Sequence, residues 1–218
     1  MIQEATLQFL RELKENNNKA WFDEHRPQYD TAKADFENFV SEFLGKMSSL
    51  DIAFAEQRAK DCIYRIYRDV RFSKNKTPYK NHFSAYFAHG GRKWDGAGYY
   101  LQFEPGNIFA AGGMWMPPPS ILKNIRQEID YNFKEFQSIL QDKKFSKTFG
   151  NLEGEKLQRP PQGYDAANPA IEFLKRKAFI VRSEIPDAVV RSAKAQDKLL
   201  EVFTTLSPLV AFLNRAVE

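Results

Sequence analysis

Cysteine is almost absent from this sequence, since Cys62 is the only one among its 218 residues. An internal disulfide is therefore impossible, which excludes the disulfide-stapled secreted folds. Histidine is nearly as scarce, and His25, His82 and His89 form no HxH or HExxH spacing, so we expect no metal site. No apolar run approaches the roughly 18 residues of a membrane span, so we expect no membrane partner.

The N-terminal stretch is charged and amphipathic rather than a basic leader followed by an apolar run. Together with the single cysteine, this predicts a cytoplasmic protein. The chain contains 19 Phe residues, which predicts a core packed largely with aromatic rings. Its length and the lack of any linker-like or repeated segment predict one domain over residues 1–218.

The hydrophobic period changes twice along the chain. Helical spacing in the first 50 residues gives way to β-forming runs, and helical spacing returns after a run of prolines that begins at Pro117. Short links between the runs, above all the turn sequence Glu104–Asn107, indicate antiparallel pairing. We therefore predict an α+β fold with a central antiparallel sheet of about five strands and helices from both chain ends packed on it. The predicted strands are Cys62–Arg68, His82–His89, Gly98–Phe103, Ile108–Trp115 and Ala178–Arg182.

Positive charge is concentrated in one segment of the chain. Residues 58–93 hold ten Lys or Arg residues and two Asp residues, giving eight net positive charges where the whole chain carries +4. A total of +4 does not by itself imply nucleic acid. The uneven distribution indicates where an anion would bind.

A loop joining two strands would bring several of these cations together. Unit charges about 5 Å apart repel by about 3 kcal/mol at an effective dielectric constant near 20, so the cluster needs either full solvation or a partner. A phosphate or carboxylate would serve, bound by Arg forks, Lys charges and hydroxyl groups. The candidate anion-binding residues are Arg65, Arg68, Arg71, Ser73, Lys74, Lys76, Thr77, Lys80 and His82.

Three other interpretations remain open for this basic loop. It could be a solvated surface whose Arg residues pair with the protein's own acids, which is the most conservative hypothesis. It could belong to a nucleic-acid-binding module, which ranks second to a small anionic ligand because the rest of the chain is net acidic. It could also belong to an interaction or structural module without a ligand. The loop lacks the glycines of a phosphate-cradling loop.

Several blocks of the sequence are similar to one microbial family. Asn16–Phe22 resembles its N-terminal signature, and Arg65–Lys80 resembles its central block. Ala111–Trp115 with the following prolines looks like its third block, and Leu157–Asp165 together with Asn168–Ile171 looks like its fourth. The family is the domain of unknown function 2461 (DUF2461). The resemblance spans nearly the whole chain, so it implies one intact domain, but it implies no activity, cofactor or reaction.

Two positions depart from the family pattern. Asn75 stands where the resemblance leads us to expect an acid, and Asn168 stands where we expect a His. These departures weaken any ligand role for the two positions. Whether the protein is an enzyme, and with which cofactor, is left open by the sequence.

Overall fold

The structure is a computed structural model that describes residues 1–217. Within them lie ten α-helices, four strands and two short 3₁₀ helices (Ile52–Glu56 and Gly91–Lys93). The helices are α1 (Glu4–Glu15), α2 (Lys19–Glu24), α3 (Arg26–Met47), α4 (Ala59–Cys62), α5 (Pro119–Tyr131), α6 (Phe133–Gln141), α7 (Lys143–Phe149), α8 (Ile171–Leu174), α9 (Asp187–Val190) and α10 (Ala195–Asn214). Over these residues, none of the helices combines the length and the apolar content that crossing a bilayer requires.

The strands are β1 (Phe83–Phe87), β2 (Gly98–Phe103), β3 (Phe109–Met114) and β4 (Phe179–Glu184). They form one antiparallel sheet in the order β1-β2-β3-β4, so each strand pairs with its neighbour along the chain. Between β2 and β3 the backbone turns at Gly106, whose φ is 76°, and the amide of Asn107 donates to the carbonyl of Glu104 at 2.8 Å. The predicted α+β class and the antiparallel sheet are confirmed.

The prediction of about five strands is wrong by one, because Cys62–Arg68 is not a strand. Cys62 ends α4, and the extended residues after it pair at two separate points only: Ile63 with Ala85, and Tyr67 with Tyr79. A bend at Ile66 separates the two points. A β-forming run becomes a strand only where one partner segment continues beside it. Here the partner changes from Ala85 to Tyr79 between Ile63 and Tyr67.

The chain divides into two compact units. The first comprises Met1–Arg92, Tyr100–Ala110 and Glu184–Leu200, and the second comprises Lys93–Tyr99, Ala111–Ser183 and the residues from Glu201 onward. Strands β2, β3 and β4 and helix α10 contribute residues to both units, whereas β1 lies in the first. That the chain forms one domain stays a prediction.

Stacked and edge-on Phe rings hold α3 against the sheet in the first unit. Phe36 lies 5.3 Å from Phe83 of β1 and 5.4 Å from Phe103 of β2, measured between ring centroids. Phe43 meets Phe87 edge-on at 5.8 Å. All five rings are buried, and each pair adds about 0.5–1.5 kcal/mol beyond the burial of its area. This layer confirms the aromatic core that the Phe content predicts.

In the second unit, glycine allows α10 and β4 to approach β3. A Cβ on Gly112 would lie 2.4 Å from the Leu206 side chain of α10. A Cβ on Gly113, whose φ is 110°, would lie 2.0 Å from the carbonyl oxygen of Phe179. Tyr99 packs against Phe203 of α10 at 5.0 Å. The two glycines are therefore required by close packing.

The aromatic layer predicts that replacing a buried Phe and replacing an exposed Phe change the free energy of unfolding by different amounts. Phe103→Ala removes a fully buried ring and leaves a cavity, so we expect a loss of about 3–5 kcal/mol in the free energy of unfolding. Phe72→Ala is the matched control, because Phe72 is 96% exposed and its loss should change stability by no more than about 0.5 kcal/mol. Urea denaturation followed by fluorescence measures both. Equal losses for the two variants would contradict this packing.

Candidate functional site

Three consecutive asparagines, Asn16–Asn18, connect the end of the basic loop to helices α1 and α2. The Asn16 amide donates to the Glu12 carbonyl at the end of α1, and the Asn18 side chain accepts from the Trp21 amide to cap α2. Between them, the Asn17 side chain donates to the carbonyl of Tyr79 at 3.0 Å and accepts from its amide at 3.1 Å. The corner between α1 and α2 therefore holds the backbone at Tyr79 in place.

Two antiparallel backbone segments close the base of the basic loop, which we define as residues 68–78. Tyr67 and Tyr79 form a bridge. The amide of Arg68 donates to the carbonyl of Pro78 at 2.9 Å, and the amide of Lys80 donates to the carbonyl of Ile66 at 2.8 Å. The first and last residues of the loop therefore lie beside each other at its base.

Arg68 organises the interior of the loop. Its guanidinium donates to the carbonyl oxygen of Thr77 at 2.9 Å and to the Thr77 hydroxyl, and it reaches the Ser73 hydroxyl at 3.4 Å. The Asn75 side chain accepts from the Thr77 amide at 2.9 Å, so its amide oxygen serves as the acceptor where we expected an acid. The structure thus brings Arg68, Ser73 and Thr77 together, in contacts that shape the loop.

Arg71, Lys74 and Lys76 lie on the exposed side of the loop. Arg71 makes a bidentate pair with Asp69, at 3.0 and 2.7 Å. The Lys76 ammonium donates to the Val70 carbonyl at 2.9 Å. Within residues 1–217, none of these three cations lines either of the clefts described next.

The first cleft, which we call the loop cleft, has a volume of about 310 Å³. Four of the predicted anion-binding residues line it, and three of its lining residues are cations, one of which, Lys14, lies 3.5 Å from Glu104. Amide side chains supply half of the remaining polar residues. Its lining residues are Lys14, Asn17, Arg68, Asn75, Thr77, Tyr79, Lys80, Asn81 and His82.

His82 is a neutral group in the loop cleft. Burial, with the nearby charge of Lys80 as the second cause, lowers the pKa of His82 from 6.5 to about 4. The imidazole is therefore uncharged at neutral pH. It can donate or accept a hydrogen bond there, but it does not add to the positive charge of the site.

The second cleft, which we call the tyrosine cleft, is larger, at about 650 Å³. It is lined by six cations and two carboxylates, together with three tyrosines. Of the predicted residues it contains Arg65 and Lys80, and Lys80 lines both clefts. Its lining residues are Arg26, Tyr29, Asp30, Lys33, Glu37, Lys60, Ile63, Tyr64, Arg65, Ile66, Tyr67, Lys80, Phe83 and Arg92.

The two carboxylates of the tyrosine cleft are already paired within α3. Arg26 lies 3.3 Å from Asp30, and Lys33 lies 3.4 Å from Glu37, each at i,i+4 spacing. In the part of the chain that the structure describes, the other four cations form no ion pair with a carboxylate. These four are Lys60, Arg65, Lys80 and Arg92.

Two of the unpaired cations share one aromatic ring. The Lys80 ammonium lies 5.2 Å from the centroid of Tyr64, and the Arg92 guanidinium lies 5.5 Å from it. Burial lowers the pKa of Lys80, and the charges of Arg65 and Arg92 lower it further. Cation–π contacts contribute about 0.5–2 kcal/mol, which stabilises the cations without neutralising them. The tyrosine cleft therefore combines the half-buried Lys80 with three exposed cations. The carboxylates of Asp61 and Asp69 lie beyond ion-pair distance and offset only part of their charge.

Sequence reasoning missed several residues of this cleft. Lys60 and Arg92 were counted in the charge of the basic segment, but they were not named as anion-binding candidates. Their position in that segment was the only sequence feature that could have identified them. Arg26 and Lys33 carried no such signal, because acids at i+4 on the same helix make them look like solvated surface pairs. Tyr64 fell in a run that we predicted to be a strand. No group of three or more metal-ligating side chains gathers within residues 1–217.

Comparison with known proteins identifies a family without an assigned activity. The family model described as "Conserved hypothetical protein (DUF2461)" matches residues 5–212. No curated protein and no solved structure matched the chain. The match covers every residue named above in the two clefts.

The neutral state of His82 predicts how stability depends on pH. In the unfolded chain the imidazole binds a proton near pH 6.5, whereas in the folded chain it does so near pH 4. The unfolded state thus binds more protons between these values, and stability falls as the pH drops from 6.5 to 4. Because Asn takes up no proton, the free energy of unfolding of His82→Asn should fall by up to about 3 kcal/mol less than that of the unmodified chain over this pH range. Urea unfolding at several pH values measures it, and identical pH dependence with and without His82 would refute it.

Proposed function

We propose that this chain, which belongs to the DUF2461 family of conserved hypothetical proteins, binds a small molecule carrying a phosphate or carboxylate group in the tyrosine cleft. One observation carries the proposal: Lys60, Arg65, Lys80 and Arg92 line the cleft and form no ion pair with a carboxylate of the described residues. The half-buried Lys80 and the three exposed cations repel one another, and a bound anion offsets that cost.

The chemistry of the lining suits an anionic group attached to a partly apolar body. Arg65 offers a planar fork that donates paired hydrogen bonds to an oxyanion, and Lys80 adds a point charge. Arg92 donates its Nε–H to the Asp61 carbonyl, so its terminal NH2 groups are the ones directed to a ligand. Tyr64 and Tyr67 provide ring faces for the rest of the ligand. The volume of about 650 Å³ falls in the range of roughly 300–1,000 Å³ that small-molecule sites occupy.

The exposed tip of the basic loop favours a second candidate function, the binding of single-stranded nucleic acid. Phe72 is 96% exposed, and the Arg71 guanidinium lies 5.8 Å from its ring centroid. Lys74 and Lys76 follow within four residues and are also exposed. An exposed ring beside cations is the arrangement on which bases stack while phosphates are neutralised. This candidate ranks second because it uses one ring, whereas the cleft assembles four unpaired cations.

Small-molecule binding is tested by thermal shift with phosphate, pyrophosphate and citrate, each compared with sodium chloride at the same ionic strength. A ligand at about 100 times its dissociation constant stabilises the protein by about 2.7 kcal/mol. We expect Lys80→Met and Arg65→Ala to abolish most of that stabilisation. Lys74→Met is the matched control, because Lys74 lies outside the cleft and should retain it. No stabilisation by any anion, or an equal loss in the control, would sink the proposal.

Nucleic-acid binding makes a different prediction, measured by fluorescence anisotropy of a single-stranded oligonucleotide across salt concentrations. Binding should weaken with salt at a slope near −0.7 per neutralised phosphate. Phe72→Ala should cost about 1–3 kcal/mol and leave the slope unchanged, whereas replacing Lys74 and Lys76 with Ala should reduce the slope. A flat salt response, or no binding at low salt, would exclude this function.

A further inference from the structure

The amino group of Lys80 differs from most lysine amino groups of this protein in its surroundings. It lies where the loop cleft and the tyrosine cleft meet, and Lys80 is partly buried. Within residues 1–217 its ammonium makes no hydrogen bond and no ion pair, and its defined contact is the ring of Tyr64 at 5.2 Å. By contrast, Lys76 donates to a backbone carbonyl, and Lys14 lies 3.5 Å from Glu104.

The charged groups around Lys80 favour loss of its proton. Arg65 and Arg92 face it from the two chain segments beside it, and both are cations. The carboxylates of the same cleft, Asp30 and Glu37, already pair with cations of α3. Burial and neighbouring positive charge together lower the pKa of Lys80. Such surroundings increase the fraction of the neutral amine, which carries the reactive lone pair.

We infer that Lys80 is a nucleophilic lysine that forms an imine with an anionic ligand whose carbonyl carbon lies near the phosphate or carboxylate bound in the tyrosine cleft. The inference rests on the proposed function, since Arg65 and Arg92 hold the anionic group and thereby place the carbonyl carbon at the Lys80 amine. The substrate class is accordingly an oxo acid or a phosphorylated aldehyde or ketone.

Imine formation at Lys80 requires no oxidant or reductant. The lone pair of the neutral Lys80 Nζ attacks the carbonyl carbon, a C–N bond forms, and the π pair of the C=O bond moves to oxygen. A proton passes from nitrogen to that oxygen, giving a carbinolamine. The hydroxyl group then leaves as water with a second proton from nitrogen, and a C=N bond remains.

Reductive trapping tests this assignment with glyoxylate, which carries an aldehyde beside a carboxylate. The intact chain is incubated with glyoxylate and sodium cyanoborohydride at neutral pH, and the modified lysines are identified by peptide mass spectrometry. We expect Lys80 to be labelled about tenfold faster than exposed lysines such as Lys74 and Lys76. Propionaldehyde, a neutral aldehyde, should show little of this preference. Lys74→Arg, which lies outside both clefts, should leave the fast labelling of Lys80 and the stabilisation by citrate or phosphate unchanged.

The outcomes separate this inference from the proposed function. If anions stabilise the protein but glyoxylate labels Lys74 and Lys76 as fast as Lys80, anion binding stands and the imine-forming role is overturned. If Lys80 is labelled fast by glyoxylate and propionaldehyde alike and no anion stabilises the protein, Lys80 is merely reactive, and both the anion site and the substrate class assigned here fail. Fast labelling that needs the carboxylate and is competed by citrate supports both.

Discussion

The packing of α3 on β1 and β2 is the constraint on which the candidate site depends. Phe36 stacks on Phe83 and meets Phe103 edge-on, and this contact fixes where β1 begins. Lys80 lies three residues before Phe83, so the same contact sets the distance between Lys80 and the polar side of α3. The tyrosine cleft is therefore bounded by an element that the aromatic core holds rigidly, as precise binding of a ligand requires.

The charges of the tyrosine cleft come from two kinds of structure. Arg26 and Lys33 belong to α3, where regular spacing places an acid beside each of them at little cost. Lys60 lies in the one-turn helix α4, Arg65 in the extended segment after it and Arg92 in a short 3₁₀ helix, and no carboxylate pairs with them among the described residues. The nearby carboxylates of Asp61 and Asp69 offset only part of this positive charge. Under the proposed function, the ligand supplies the missing negative charge.

The sequence suggested a single anion-binding segment, but its cations lie on two surfaces, the basic loop and the tyrosine cleft. Arg68, Ser73 and Thr77 bond to one another and give the loop its shape, whereas Arg71 is neutralised by Asp69. The Arg71 guanidinium also lies 5.8 Å from the ring centroid of the exposed Phe72. The cleft, in turn, draws Arg65 and Lys80 from the flanks of the loop. A single basic run thus contributes to two surfaces, because the Tyr67–Tyr79 bridge folds it back on itself.

The sequence by itself determined the α+β class, the turn at Glu104–Asn107 and the concentration of charge, because these follow from local periodicity, turn residues and composition. It also placed Arg65 and Lys80 among the anion candidates. Only the tertiary structure decided that Cys62–Arg68 changes partner and is not a strand. It alone placed Arg26, Tyr64 and Arg92 in the same cleft as Lys80, since no local pattern records which distant side chains a packed aromatic core will bring to one surface.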